Sequence, residues 1–311
     1  MRFINPKTDF AFKKIFGSDQ SKPILMSFLN ALLYDEQPII VDLEIIDPYL
    51  APKIEGMKDT FVDVRARLQS GRFVIIEMQV LNVEGFEKRV LYNAAKAYST
   101  QLMEGDVYKD LSPVVALTIT DFVMFPESAE IESAFVLKER KASLEYPQSD
   151  IQLVFVELPK FTKALDQLTG IKDKWLFFLK NARDLQVVPD AMGEVAEIKQ
   201  AFHFANLAGL SPKELEVYER KLMFIRDQRG AIALAEREAE ERGRKQGEEK
   251  GEEKGRAKGR VEGLEEGEAI GRTKKAREIA SQLLGQLDDQ QIAQITGLSL
   301  SEIAALRGAT N

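Results

Sequence analysis

The stretch FVDVRARLQSGRFVIIEMQV, residues 61 to 80, reads as two strands joined by a tight turn. Its second half is crowded with apolar and β-branched residues, as in a strand that is covered on both faces of a sheet. Two polar side chains, Glu77 and Gln79, interrupt that half, and the first half contains Asp63. An ionisable carboxylate inside a buried strand is costly unless it is paired, so these three residues are candidates for a functional site.

The turn between the two strands decides whether the carboxylates meet. A three-residue loop that ends on Gly71 puts this glycine at the left-handed position of a bulge turn, and Leu68 then pairs with Arg72. In that register Asp63 stands opposite Glu77. A two-residue loop would place the two carboxylates on opposite faces of the sheet. The position of the glycine favours the first register.

Two carboxylates that face each other in a sheet repel, so a positive charge is expected between them. A divalent cation fits, because Mg²⁺ commonly takes one or two carboxylates together with waters and a substrate phosphate. The alternative is that Arg65, Arg67 or a lysine neutralises the pair. The residues alone leave both alternatives open.

Composition excludes several kinds of site. The 311 residues are enough for more than one folding unit, and 44% hydrophobic with 30% charged residues suits a globular protein with a charged appendage. The absence of cysteine removes disulfides, thiolate metal sites and cysteine nucleophiles. A single histidine, His203, argues against histidine-rich metal sites and Ser-His-Asp catalysis.

Charge and hydropathy bear on partners and location. With a net charge of −7, contact with nucleic acid must use local basic patches. The sequence shows no apolar signal core and no run of membrane-spanning length, so we expect a cytoplasmic protein without a membrane partner.

The apolar pattern along the chain predicts an α/β order. Helices are predicted over 8–33 with a break at Gly17, over 85–103 and over much of 160–240. Strands are predicted over 39–46, 60–68, 73–80, 114–120 and 153–158. Helix, three strands, helix and strand imply an antiparallel hairpin followed by a helical crossover to a parallel strand.

Four segments follow one another along the chain. They are a core over 1–185, a helical extension over 186–242, a glycine-periodic segment over 243–273 and a small helical tail over 274–311. In the tail, a helix, a short turn with Gly297 and another helix follow the helix-turn-helix layout, although similar hairpins also serve only for packing. Whether the tail contacts DNA is left open.

Glycine recurs at every fourth position from Gly243 to Gly271, with Glu, Lys and Arg between the glycines. Each glycine costs about 1 kcal/mol relative to alanine in a helix interior. That cost favours a charged, flexible linker. The alternative is a helix whose glycine stripe lets helices of two subunits approach closely.

Five segments carry a family resemblance. They are PKTDFAFKKIFGS, FVDVRARLQSGRFVIIEMQV with its D…ExQ motif, GFEKRVLYNAAKAYSTQL, FVMFP and FVELPKF. In this order they resemble the recombination-promoting nuclease family, also described as PD-(D/E)XK nuclease family transposases. The resemblance covers residues 1 to about 185, and the glycine-periodic segment is also typical of that family.

The resemblance implies an α/β fold with a PD-(D/E)XK restriction-endonuclease-like core, αβββαβ with a mixed sheet, and a helical C-terminal extension. It implies a metal-dependent DNA endonuclease that hydrolyses phosphodiester bonds and is linked to recombination and mobile DNA. The alternative is a non-catalytic DNA-binding or oligomeric assembly protein on a nuclease-like fold. A homo-oligomer, most simply a dimer, is expected because two metal sites would cut both strands.

The resemblance and the strand geometry together assign the central roles. Asp63 and Glu77 would hold Mg²⁺, and Mn²⁺ would be able to substitute. Gln79 lies on the same strand face as Glu77 and is the third catalytic candidate. The wider superfamily has lysine at that position, whereas glutamine can orient a water but supplies no charge.

Further candidates are less specific. Asp9 and Lys13 form an i, i+4 pair, which is either a surface salt bridge or a site carboxylate with a phosphate-facing lysine. Glu44 could reach the metal from the first strand or be a neutralised surface residue. Three residues of the helix after the motif could face the DNA backbone or form a solvated helix face: Arg89, Lys96 and Gln101.

Overall fold

A computed structural model of the chain describes residues 1–50, 60–146 and 150–309. The chain divides into two compact units, Met1–Ala231 and Ile232–Asn311. This division falls within a long helix, eleven residues before the end of the predicted helical extension at 242. None of the described helices combines the length and the apolar character needed to cross a lipid bilayer.

The first unit contains all of the described strands. Its elements up to the central hairpin are α1 (Asp9–Phe16), α2 (Lys22–Leu33), β1 (Leu43–Ile46), β2 (Tyr49–Leu50), β3 (Thr60–Phe61), β4 (Val64–Leu68) and β5 (Phe73–Gln79). The elements that follow are α3 (Phe86–Ser99), β6 (Val114–Thr120), β7 (Glu132–Phe135), β8 (Ile151–Glu157), α4 (Ile171–Asn181), α5 (Asp190–Gly193) and α6 (Ala196–Phe204). Helix α7 (Pro212–Leu283) begins in this unit, and α8 (Asp289–Thr296) and α9 (Leu300–Ala309) lie in the second unit.

Six strands form a mixed sheet in the order β1-β4-β5-β6-β8-β7. The pairs β1–β4, β4–β5 and β7–β8 are antiparallel, whereas β5–β6 and β6–β8 are parallel. Helix α3 connects β5 to the parallel strand β6, so the predicted αβββαβ order with a mixed sheet is confirmed. Strand β7 was not predicted, because its four residues ESAF carry no apolar alternation.

The register of the central hairpin is the one that the glycine position favoured. The N–H of Leu68 donates to the carbonyl of Arg72 at 2.9 Å, and Val64 pairs with Ile76. Gly71 has a φ of +84°, which the missing Cβ allows. The three-residue turn and its register are therefore confirmed.

A β-bulge ends this hairpin at Asp63. The N–H of Asp63 donates to the carbonyl of Ile76 at 3.0 Å, although Ile76 already pairs with Val64. Asp63 and Val64 thus both stand against Ile76, so the ladder does not contain the direct pairing of Asp63 with Glu77 that the turn predicted. A bulge re-aims the side chains next to it, and bulges are frequent beside active sites.

The two faces of the sheet are covered by different helices. One face packs Val64, Ala66 and Ile76 into a large core with side chains of α1, α2, α4 and α6, among them Phe12 and Trp175. The other face packs Ile75 and Ala116 against Ala94 and Ala97 of α3. Alternate residues of β5 therefore point to opposite helical layers, which follows from the period of two in a strand.

The first helix is fixed by a cap. The hydroxyl of Thr8 accepts the N–H of Ala11, and Ala11, Phe12, Ile15 and Phe16 are buried. Thr8 is therefore the N-cap of α1. Helix α1 lies beside the hairpin bulge, because its Lys13 Nζ is 3.5 Å from Asp63 Oδ1.

The second unit is helical throughout its described part. Residues 243–271, the glycine-periodic segment, lie within α7 and are helical. Helices α8 and α9 are separated by Gly297, whose φ is +72°, in the predicted helical hairpin. Five buried residues form the small core of the tail: Ala280, Leu284, Ile292, Leu298 and Ile303.

Candidate active site

Three elements bring charged and polar side chains to one end of the central hairpin. The first turn of α1 carries Asp9, and Lys13 follows one turn later. The bulge before β4 presents Asp63, and β5 presents Glu77 and Gln79. Sequence reasoning named all five residues, and the contacts between them are described next.

Asp63 is held by the backbone and by two neighbours from α1. Its Oδ2 accepts the N–H of Met78 at 2.8 Å, and Lys13 Nζ lies 3.5 Å from its Oδ1. The pKa of Asp63 is raised to about 7: burial raises it most, a hydrogen bond with the Asp9 carboxyl also raises it, and the backbone N–H of Met78 and the charge of Lys13 lower it. Asp63 is thus a carboxyl that holds a proton near neutral pH.

Asp9 titrates in the opposite direction. Burial alone would raise its pKa, but the hydrogen bond from Asp63 and the contacts with Lys13 outweigh burial and lower the pKa to about 2. Lys13 Nζ lies 2.8 Å from Asp9 Oδ1. The pKa values of the two carboxyls therefore move apart, as in other close acid pairs.

Lys13 is the positive charge beside Asp63, which is held from the side of α1, whereas Glu77 is held from the side of α3. Its ammonium contacts Asp9 and Asp63, and its charge also lowers the pKa of Glu77. Burial would lower the pKa of Lys13, but the hydrogen bond to Asp9 and the charge of Asp63 raise it. Of the alternatives left open by the sequence, a lysine therefore lies next to the carboxylates.

The two arginines of β4 have a different environment. Their guanidinium groups lie over the ring of Phe73, at 5.3 Å for Arg65 and 5.7 Å for Arg67. Burial lowers the pKa of Arg65, and the charge that opposes this effect comes from Asp47. Both arginines therefore contact Phe73, whereas Lys13 is the cation beside Asp63.

Glu77 is held from the side of α3. Its Oε1 accepts a hydrogen bond from Arg89 at 2.6 Å, and its Oε2 accepts one from Asn93 Nδ2 at 3.4 Å. Burial raises the pKa of Glu77, and Arg89, Asn93 and Lys13 partly offset this rise. The carboxylate is therefore buried, partly compensated and reachable from the α3 face.

Gln79 is fixed by contacts at both ends of its amide. Its Oε1 accepts a hydrogen bond from Arg89 at 2.7 Å, and its Nε2 donates to the carbonyl of Leu81 at 2.6 Å. Arg89 thus bridges Glu77 and Gln79, which lie on the same face of β5. The amide orientation follows from this network.

The donor set fits a divalent cation of the Mg²⁺ type. Asp63 and Glu77 are partly buried carboxylates with raised pKa values, so an added positive charge would relieve the cost of ionising them. Residues 1–50, 60–146 and 150–309 contain no group of three or more His, Asp or Glu side chains able to enclose a metal. Mg²⁺ does not need such a cage, because it is usually bound by one or two carboxylates, waters and substrate phosphate.

Helix α7 contributes two cations that sequence reasoning missed. Lys221 Nζ lies 3.2 Å from Asp9 Oδ2, and Arg229 donates to Asp121 Oδ2 at 2.7 Å. The N–H of Asp121 in turn donates to the carbonyl of Gln79 at 2.9 Å. The beginning of α7 therefore reaches both sides of the carboxylate site.

Asp121 has a second cationic partner. Lys7 Nζ donates to its Oδ1 at 2.9 Å, and the side chain of Asp121 is only 12% exposed. Lys7 lies in the segment PKTDFAFKKIFGS and Asp121 directly precedes FVMFP, so both stood next to motifs already noted. The contact itself could not be read from the sequence, because it joins residues far apart in the chain.

The candidates for DNA contact on α3 and just after it are engaged within the protein. Arg89 binds Glu77 and Gln79, as described above. Lys96 is buried and its ammonium lies 5.9 Å from the ring centre of Tyr92. Gln101 donates to the carbonyl of Ser112 at 2.9 Å and accepts its N–H at 2.8 Å. Contact of these residues with DNA stays a prediction.

Glu44, for which the sequence left a metal ligand and a surface residue open, lies on β1 away from Asp63. It pairs with Arg67 on β4, four residues beyond Asp63 along the chain. At about 3.3 Å per strand residue this separation is roughly 13 Å. Glu44 is also exposed, which matches the alternative of a surface residue.

A mixed αβββαβ sheet with Asp63 and Glu77 at its central hairpin defines a protein of the PD-(D/E)XK nuclease class. The chain belongs to the PD-(D/E)XK nuclease family transposases, whose family model matches residues 6–235. This match extends beyond the predicted limit of about 185 and includes Lys221 and Arg229. Searches of curated proteins and of solved structures found no match.

Proposed function

We propose that this protein is a divalent-metal-dependent DNA endonuclease that hydrolyses phosphodiester bonds, with a role in recombination or movement of DNA. The observation that carries the proposal is the two partly buried carboxylates with raised pKa values, Asp63 and Glu77, on the central hairpin of a nuclease-family sheet. Acids with strongly perturbed pKa values cluster at functional sites.

Asp63 and Glu77 are the residues that would hold Mg²⁺ or Mn²⁺. When bound, such a cation supplies positive charge that polarises the scissile phosphate and makes a water acidic enough to attack it near neutral pH. Asp63 must release its proton to serve as a ligand. Its pKa of about 7 allows this release at the pH of the cell.

Lys13 and Gln79 have separate tasks in this proposal. The ammonium of Lys13 contacts Asp9 and Asp63, where it can also contact a phosphate oxygen and stabilise charge that develops there. Gln79 Oε1 accepts one hydrogen bond from Arg89 and retains a second lone pair. That lone pair can accept a hydrogen bond from a water and orient it.

Phosphate contacts along the DNA backbone are assigned to the cations around the site. Lys7, Lys221 and Arg229 are each paired with a carboxylate, either Asp9 or Asp121. A local cluster of this kind is what a chain with a net charge of −7 requires for DNA contact. Non-specific backbone contacts position the duplex without reading its sequence.

One observation favours the alternative of a non-catalytic DNA-binding protein. Both carboxylates already have protein cations as partners, since Lys13 lies beside Asp63 and Arg89 binds Glu77. In that alternative the cations neutralise the acids permanently and leave no place for a metal. The two functions differ in one outcome, which is cleavage of DNA.

The test is cleavage of supercoiled plasmid by the purified full-length chain with Mg²⁺, with Mn²⁺ and with EDTA. We expect nicked or linear product with either metal and none with EDTA. Asp63→Ala and Glu77→Ala should each abolish cleavage, whereas Glu44→Ala, which removes an exposed carboxylate of the same sheet, should cut like the unmodified protein. DNA binding without cleavage by the unmodified protein would establish the non-catalytic alternative.

A further inference from the structure

A cleft of about 700 Å³ opens beside Glu77, between α3 and the short strand β3. Glu77, Arg89 and Asn93 line it, and so do Thr60, Phe61 and Tyr92. Its volume falls within the range of roughly 300–1,000 Å³ that small-molecule and cofactor sites occupy. The cleft therefore has room for a nucleotide-sized group directly against a carboxylate of the proposed metal site.

Three polar atoms in the lining of this cleft lack a hydrogen-bond partner among the described residues. They are Thr60 Oγ1, Arg89 Nε and Asn93 Oδ1, and all three are buried. Buried polar groups are satisfied in most proteins, so a set of three in one cleft calls for a ligand. The set offers a hydroxyl, an N–H donor and an amide acceptor, the mixture that the edge of a nucleobase requires.

Two aromatic rings stand at the same cleft. Phe61 is 64% exposed and Tyr92 is 37% exposed. The ring of Phe61 is stacked on Tyr49 with centroids 4.8 Å apart, which holds it in place while one face stays open. Exposed rings of this kind are the surfaces on which proteins stack unpaired bases.

We propose that this cleft receives one unpaired nucleobase of the DNA substrate, stacked on the exposed aromatic rings and bound by the polar side chains at the floor. The proposal rests on the proposed function and adds its substrate class: DNA with an unpaired or extruded nucleotide next to the scissile phosphate. Glu77 links the two sites, because one of its oxygens binds Arg89 and the other binds Asn93.

The physical reason for this preference is the cost of extruding a base. A base within a duplex must be unpaired and unstacked before it can enter a pocket, and this cost is smallest for a base that is already unpaired. A bulged or mismatched nucleotide should therefore bind more tightly than a paired one. A cleft that bound only the phosphate backbone would show no such difference.

The test is fluorescence anisotropy of a short labelled DNA duplex and of the same duplex with one bulged nucleotide. It uses the full-length chain in EDTA and, separately, in Ca²⁺. We expect the bulged duplex to bind about fivefold more tightly or better.

Tyr92→Leu and Phe61→Leu should each bring the two affinities together, whereas Tyr92→Phe, which keeps the ring, should retain the difference. Tyr108→Leu is the control, because Tyr108 is 86% exposed and lies outside the cleft.

Equal affinity for the two duplexes, or a difference that survives in both leucine variants, overturns the inference. Competition by free deoxynucleoside monophosphates at micromolar concentration overturns the assignment to a base within DNA.

Two outcomes separate the cleft from the proposed function. Plasmid cleavage combined with equal affinities rejects the cleft alone and leaves the proposed function in place. A Tyr92-dependent difference without cleavage by the unmodified protein rejects the endonuclease activity and supports the cleft. Absence of binding to either duplex in both buffers overturns both.

Discussion

At the scale of single residues, Asp63 combines a backbone irregularity with an unusual titration. The bulge places its carboxyl against the N–H of Met78 and next to Asp9 and Lys13. A regular strand would have given that N–H to a carbonyl of the partner strand. At the bulge, the N–H of Met78 donates to the side chain of Asp63 in place of a ladder carbonyl, and this bond orients the carboxyl.

The raised pKa of Asp63 predicts a stability change that can be measured without metal. Because the folded pKa of about 7 exceeds the ordinary value of 3.8, the folded chain holds the proton more tightly than the unfolded chain. That stabilisation is complete below pH 3.8 and is lost as the pH rises through 7. Asp63→Asn removes the ionisable group. At pH 8 the free energy of unfolding of the variant should therefore exceed that of the unmodified protein by on the order of 1–3 kcal/mol.

The measurement is denaturant unfolding in EDTA at pH 5 and at pH 8. The advantage of Asp63→Asn should be larger at pH 8 than at pH 5, while plasmid cleavage is lost at both values. Glu44→Gln serves as the control for removing one negative charge from a chain of net charge −7. A variant that is less stable than the unmodified protein at pH 8 would show that the ionised form of Asp63 is well compensated.

The sequence predicted part of this arrangement and missed the rest for identifiable reasons. Gly71 was enough to set the hairpin register, because turn geometry is local. The contact of Lys13 with Asp63 depends on how α1 packs on the sheet, which no local pattern encodes. Arg89 was assigned to a helix face, but periodicity does not show that Glu77 lies beneath that face.

At the scale of elements, two of the short motifs meet through one buried acid. Glu157, from FVELPKF, accepts the N–H groups of Met124 and Phe125, from FVMFP, and pairs with Lys160. Glu157 is fully buried, and Lys160 also donates to the carbonyl of Phe125. These bonds fix the loop that follows β6 and begins at Asp121. The two motifs thus contact each other through Glu157, which their sequences alone did not show.

The beginning of α7 is the element whose importance the sequence concealed. Besides its contacts to Asp9 and Asp121, the hydroxyl of Tyr218 accepts the N–H of Asn5 at 2.8 Å, and Glu214 pairs with Lys14 at 2.7 Å. Its contacting residues recur at helical spacing but are polar as well as apolar. A pattern search for an apolar face therefore undervalues this helix.

Arg229→Ala should weaken DNA binding with little loss of stability. The side chain is 53% exposed, so its ion pair with Asp121 contributes little to folding. Removing one phosphate contact should lower affinity by about threefold to tenfold for every sequence and reduce the slope of log K against log salt by about one. The measurement is anisotropy with a labelled duplex over a series of salt concentrations.

Arg220→Ala is the matched control on the same helix. Arg220 is 71% exposed and pairs only locally with Glu216, one turn earlier. Its removal should leave both the affinity and the salt slope near those of the unmodified protein. Equal effects of the two substitutions would indicate that α7 contributes only general charge and no specific phosphate contact.

At the scale of the whole molecule, the eight glycines between Gly243 and Gly271 demand an explanation that the single chain does not provide. A Cβ added at any of them meets no heavy atom within 4 Å, so no contact within the described chain requires glycine there. Together they cost the helix about 8 kcal/mol relative to alanine. Local ion pairs such as Arg244–Glu248 and Arg256–Glu252 return only about 0.5 kcal/mol each.

The balance of these energies favours a partner for this helix. Val261 and Leu264, which flank Gly263, are each 56% exposed and offer apolar contact to a neighbouring chain. A period of four advances about 40° beyond one full turn, so two such stripes would stay in contact only with right-handed wrapping. We therefore expect a homodimer in which the glycine stripes of two chains approach closely and bring two nuclease sites into one assembly.

Replacing Gly251, Gly255 and Gly259 with alanine in the full-length chain separates helix propensity from association. Each substitution favours the helix by about 1 kcal/mol, so circular dichroism should show equal or greater helicity and thermal stability of the second unit. The added methyl groups would hold two stripes apart, so light scattering should show a dimer for the unmodified protein and a monomer for the triple variant.

Alanine at Glu249, Glu253 and Arg260, outside the stripe, is the control and should leave the dimer intact. A monomeric unmodified protein at micromolar concentration would reject the dimer, and a triple variant that remains dimeric would place the contact outside the glycine stripe.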